Sequence, residues 1–105
     1  MKKQLTLLER VILPNILPET GNYVGLIMNK SITSKVELTV EEIEKYGVTP
    51  TETGGLRWNP KDVPESFEVE FSEKELEVIK TSIQRWDKEE KLTKEYITIY
   101  EKFNQ

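Results

Sequence analysis

The sequence predicts an α+β fold, α-rich and confined to a single domain over residues 1–105. Three observations carry that reading. Three Ser/Thr-x-x-Glu spacings each precede an apolar repeat at helical period. A central stretch alternates apolar and polar residues around a Gly-Gly pair. And 105 residues suit one domain with one modest core, near the common size of about 100–150.

The elements follow in order. Thr6 and Glu9 have capping-box spacing, and Leu8, Val11 and Ile12 then recur as a first helix, which Pro14 and Pro18 bend or end. Gly21-Asn22 is a turn. Tyr23, Val24, Leu26, Ile27 and Ile32 predict a second helix whose interior Gly25 permits close packing. Residues 33–38 fit both a helix tail and a strand, because Val36, Leu38 and Val40 alternate with polar neighbours. Thr39 and Glu42 open a short helix through Ile43 and Tyr46, which Gly47 closes as a left-handed cap before Pro50.

Gly54-Gly55 then predicts a hairpin turn, with Leu56 and Trp58 on one side of the following strand. After a loop from Asn59 to Ser66, Phe67, Val69 and Phe71 alternate with Glu68 and Glu70 as a strand with one buried face. The middle is read as one small two-stranded antiparallel element. Ser72 and Glu75 cap the strongest helix, carried by Leu76, Ile79, Ile83 and Trp86. On it Arg85 and Glu89, Asp87 and Lys91, and Glu90 and Lys94 stand four apart, as on a solvated surface. Thr93 starts a last short helix bearing Tyr96, Ile97, Tyr100 and Phe103, so residues 72–103 form a helical hairpin.

Composition narrows the chemistry. The chain has no His and no Cys. There is thus no imidazole base poised near neutral pH, no thiolate nucleophile, no disulfide and no Cys/His metal set. The five serines lack a His partner, and the Gly pair is followed by Leu56 rather than by a phosphate-loop Lys. No enzyme activity and no cofactor are expected. Net charge is −4, and the whole acidic excess lies in the second half. Lys2 and Lys3 do not begin a secretory leader, because Glu9 and Arg10 interrupt the apolar stretch. No run reaches the roughly 18–20 apolar residues of a membrane span, so the expected location is the cytoplasm.

Three helices followed by a β-hairpin resemble, over residues 6–71, the element order of a winged helix-turn-helix domain. That resemblance implies a recognition helix at Val40–Tyr46 and a wing tip at Gly54-Gly55. The residues depart from it, since Glu41, Glu42 and Glu44 stand where base- and phosphate-binding side chains belong. Separately, "LTLLERVILPNILPETGN", "RWNP" and "KLTKEYITIYEKF" resemble small uncharacterised phage and prophage proteins, which implies an accessory or host-interaction role.

The candidate site is acidic. Between Asp62 and Glu77 seven carboxylates face one base, Lys74. Asp62, Glu65, Glu68, Glu70, Glu73 and Glu77 are the candidate partner-binding residues, with Trp58, between Arg57 and Asn59, as an aromatic anchor. Acid rows at strand and helix spacing suit a basic protein and mimic a phosphate backbone. The same rows also suit a merely solvated face, and Trp58 equally suits a cap on the core beneath the long helix. Tyr96, Tyr100 and Phe103 fit either a dimer seam or internal packing against Leu76, Ile79 and Ile83, so monomer and homodimer both stay open.

The expectation is therefore a non-enzymatic interaction or accessory protein of phage or prophage type that binds a protein partner through an acidic surface. The alternative is a winged-helix DNA-binding regulator using Lys30, Lys35 and Arg57.

Overall fold

Lys2–Leu5 forms a strand, β1, that no local signal announces. The computed structural model describes residues 1–104. In it β1 pairs antiparallel with β4 (Phe67–Glu70), in the register Lys2 opposite Glu70 and Leu5 opposite Phe67. The strand at Phe67 thus takes its partner from the far end of the chain and not from the Gly54-Gly55 hairpin. That hairpin is a separate two-stranded sheet, β2 (Thr49–Pro50) with β3 (Leu56–Arg57). One expected β element is therefore two. The physical reason lies in the faces: Lys2 and Gln4 meet Glu70 and Glu68 on the wet side, while Leu5, Val69 and Phe71 are buried.

All three capping boxes close with both reciprocal bonds. Thr6 caps α1 (Leu7–Ile12), Thr39 caps α3 (Val40–Lys45) and Ser72 caps α4 (Glu73–Lys88). Pro14 does not end the first helical stretch; it sits in the first turn of a 3₁₀ segment, Leu13–Ile16, where its missing amide costs nothing. Asn22 caps α2, which runs over Tyr23–Val36, so the ambiguous stretch is helix to Val36 and extended from Glu37. A 3₁₀ turn at Lys94–Tyr96 leads into α5 (Ile97–Phe103), although the Thr93 side chain makes no cap bond.

The main core lies between α1, α2, α4, α5 and the inner face of β1–β4. Leu5, Leu13, Ile16, Ile32, Phe71, Ile79, Ile83 and Ile99 are all fully enclosed there. Phe71 and Phe103 meet edge to face at 5.8 Å. A smaller cluster of Leu7, Tyr46 and Val48, with Phe67 and Trp58 against it, seats α3 and the hairpin. The aromatic run of the C-terminal hairpin faces inward: Tyr96 and Phe103 are buried, and Trp86 lies 5.1 Å from Tyr96. Tyr100 is partly buried against the same core, while Ile97 is exposed. Leu56 does not share the inner side with Trp58; it is exposed. None of the three expected charge pairs on the long helix and its exit closes to ion-pair distance among the described residues, where Lys91 pairs instead with Glu89 at 3.5 Å. Among the described residues no helix is long and apolar enough to cross a membrane.

Candidate functional site

Among the described residues the buried charges are Glu9, Arg10 and Glu75, and the third cap glutamate, Glu42, is partly buried against Arg10. Each cap glutamate accepts from its own helix start and from a cation far away in sequence. Glu9 Oε1 accepts from the Thr6 amide at 2.7 Å and from Lys102 Nζ at 2.6 Å. Glu42 receives a two-pronged bond from Arg10, at 2.6 and 3.0 Å, besides its bond from the Thr39 amide. Glu75 accepts from Lys35 at 2.5 Å, from Ser31 at 2.9 Å and from the Ser72 amide at 2.8 Å.

Their titration follows from this. The Arg10 hydrogen bonds are the largest influence on Glu42 and, with the Thr39 bonds, outweigh its burial, bringing its pKa down to about 2. Burial pushes Glu75 up, yet Lys35, the Ser72 amide and Ser31 together overcome it and leave the carboxyl at about 2. Burial likewise raises Glu9, and Lys102, the Thr6 amide and Thr98 more than reverse it, so the carboxyl titrates below its usual range. Displaced carboxylates are a common sign of a catalytic site. Here all three are committed to caps and cross-links.

The predicted acidic residues do not form one single-sign surface. Asp62 lies in a 3₁₀ turn and accepts from the Asn59 side chain at 2.9 Å. Glu65 is exposed on the following loop. Glu68 and Glu70 share the outer face of β4, but Lys2 crosses to within 3.7 Å of Glu68. Glu73 and Glu77 stand one turn apart on α4, beside a shallow hollow of about 390 Å³ that also presents Lys3 and Lys80. Glu75, the remaining acid of the run, is buried in the protein. Trp58 caps the smaller cluster at Tyr46 and Val48, and not the core under the long helix. Of the three cations named for nucleic acid, Lys35 is committed to Glu75.

A second surface has no counterpart in the sequence reading. On α2, Tyr23 is 79% exposed, Val24 71%, Ile27 47% and Leu26 38%. These side chains form one apolar stripe that none of the described residues covers. Next to it a groove of about 680 Å³ opens between α2 and α4, walled by Val24, Gly25 and Met28 on one side and by Val78, Thr81 and Ser82 on the other. Lys74, Glu77 and Arg85 stand at its α4 edge. The signal for this stripe is present in the sequence. Tyr23 and Ile32 are nine residues apart, about two and a half helical turns, so one α2 cannot bury both toward a single core. Ile32 and Val36 are the buried pair.

Comparison with known protein families, curated proteins and solved structures finds no match to this chain.

Proposed function

We propose that this chain is a non-enzymatic interaction protein of the accessory kind, working in the cytoplasm, which binds another protein across the α2–α4 face. The observation that carries the reading is the uncovered stripe of Tyr23, Val24, Leu26 and Ile27 beside an open groove. Scattered apolar residues are ordinary on protein surfaces, but a contiguous helical stripe continuous with a concave wall is the anatomy of a binding surface. Glu77 at the groove edge and Glu73 one turn before it extend this surface into the acidic row and serve as its polar rim. Placed so, the carboxylates steer and orient a partner while the apolar centre holds it. An accessory role also agrees with the phage- and prophage-like phrasing of the chain. Against catalysis stands the commitment of Glu9, Glu42 and Glu75 to helix starts and distant cations.

The test is affinity capture from a host lysate treated with nuclease, using the native chain and two variants. Val24→Glu with Ile27→Glu removes the apolar centre, and Glu73→Lys with Glu77→Lys reverses the rim. The expected result is a nuclease-resistant protein partner lost with the first variant and weakened, most clearly at low salt, with the second. Capture indifferent to both variants, or a salt-sensitive shift of random duplex DNA, would overturn the proposal.

A further inference from the structure

We infer that the groove between α2 and α4 takes an amphipathic helix of a partner protein whose apolar face is flanked at both ends by carboxylates. This rests on the interaction reading above and adds the chemistry of the partner: carboxylates at the two ends of its helix for Lys74 and Arg85, and a basic group between them for Glu77, which lines the same edge.

The first argument is charge. Lys74 and Arg85 stand at the groove, and neither side chain makes an ion pair or hydrogen bond among the described residues. That sets them apart from Arg10, Lys35 and Lys102, each of which is drawn to a cap glutamate. The second argument is spacing. Eleven residues of α-helix rise about 16.5 Å and complete just over three whole turns, so the two cations share one face of α4 at opposite ends of the groove. A helix of three to four turns laid along α4 fills that span, with apolar anchors one turn apart against Val24, Met28 and Val78. Between the cations Ser82, only 4% exposed, makes no side-chain hydrogen bond among the described residues and lies in the groove wall. Its hydroxyl is not one of the buried atoms left without a partner, so it meets solvent in the groove, where a polar side chain of the incoming helix can reach it. The apolar stripe extends past the groove through Tyr23 and Ile27, which favours a macromolecular face over a small ligand.

A second copy of this chain is the poorer occupant. Its own exposed apolar helix is α2, whose charged residues are Lys30 and Lys35 and which carries no acid. Lys35 is held by Glu75, so laid in the groove α2 would bring Lys30 toward Lys74 and Arg85 with no acid to offset it. Like charges at such an interface oppose association.

The experiment uses synthetic peptides of about eighteen residues, long enough for five turns of helix. Each carries leucines at positions i, i+3, i+4 and i+7. One version has glutamates eleven residues apart outside the leucine face, and its twin has lysines there. Binding to the full chain is read by fluorescence anisotropy at low and high salt. The glutamate peptide is expected to bind about tenfold more tightly than its twin, with the difference shrinking as salt rises. The variant K74E with R85E should reverse the preference, and V24E with I27E should abolish binding of both peptides. Equal binding of the two peptides, lost in V24E/I27E, would overturn the inference and leave the interaction reading standing. No binding of either peptide, or binding that survives V24E/I27E, also overturns the inference. Concentration-dependent dimerisation abolished by V24E/I27E would assign the groove to a second copy instead, with the same consequence.

Discussion

Arg10 illustrates how much of this fold rests on single polar side chains. It is 6% exposed, and it donates to the carbonyls of Val36 at 3.1 Å and Glu37 at 3.0 Å as well as to both oxygens of Glu42. Its guanidinium also lies 4.6 Å from the centre of the Phe67 ring. One side chain thus ties α1 to the end of α2, the start of α3 and the edge of β4. A planar fork is needed for that many directed bonds, and an ammonium cannot supply it. Arg10→Ala would strand the Glu42 carboxylate and two carbonyls, so the expected loss is about 3–5 kcal/mol, measured as a fall in the urea midpoint. Arg10→Lys should recover only a small part. A near-native midpoint for the lysine variant would mean that charge alone matters here. Nothing in linear sequence marks Arg10 for this role, because its three partners lie 26 to 32 residues further along the chain.

The helices show which local chemistry is legible and which is not. Capping boxes involve groups three residues apart, so Thr6, Thr39 and Ser72 could be read without knowing the fold. Their second use could not, since the cations arrive from distant segments. Linkage turns that second use into a pH dependence. Glu42 and Glu75 titrate at about 2 in the folded chain against 4.5 for the free side chain. A depressed folded pKa adds stability that is complete above the unfolded value and lost as pH falls toward the folded one. Stability should therefore decline between about pH 5 and pH 2, by on the order of 2–3 kcal/mol for each carboxylate. Urea midpoints taken across that range check it, and Glu42→Gln and Glu75→Gln should each flatten the slope while lowering stability at neutral pH. The helix ends carry a further prediction. Both α3 and α4 close in the same way: the Val48 amide bonds the Ile43 carbonyl, and the Lys91 amide bonds that of Trp86, across a residue with positive φ. In α3 that residue is Gly47 at +62°, which the sequence announces. In α4 it is Glu90 at +59°, where a side chain crowds the backbone and no glycine signals the stop. Glu90→Gly should raise stability by several tenths to about 1 kcal/mol, whereas Gly47→Ala should lower it by about 1. Thermal unfolding of the two variants reads both signs.

At the scale of the whole molecule, the beginning, middle and end of the chain meet at one junction. β1 pairs with β4, the Lys3 ammonium donates to the Lys102 carbonyl at 3.0 Å, and Lys102 answers by donating to the Gln4 carbonyl at 2.7 Å and to Glu9. This closure explains why β1 escapes a reading by pattern. Four residues with two lysines have no period to detect, and the pairing spans more than sixty positions. The sequence does specify that residues 67–71 have one buried face, but not which strand lies beside them. The same closure separates what stabilises the fold from what the surface does. Leu5 is fully buried in the main core and its neighbours hold α5 in place. Leu5→Ala should cost about 2–5 kcal/mol, and removal of residues 1–5 should abolish cooperative unfolding by exposing the β4 edge and the Phe71–Phe103 contact together. The α2 stripe lies outside that network. Val24→Glu and Ile27→Glu exchange exposed side chains that the core does not use, so their expected effect on the urea midpoint stays within about 0.5 kcal/mol. Since α2 buries Ile32 and Val36 on its opposite side, a large destabilisation by either substitution would mean that the stripe belongs to the core, and the α2–α4 face would lose its standing as a binding surface.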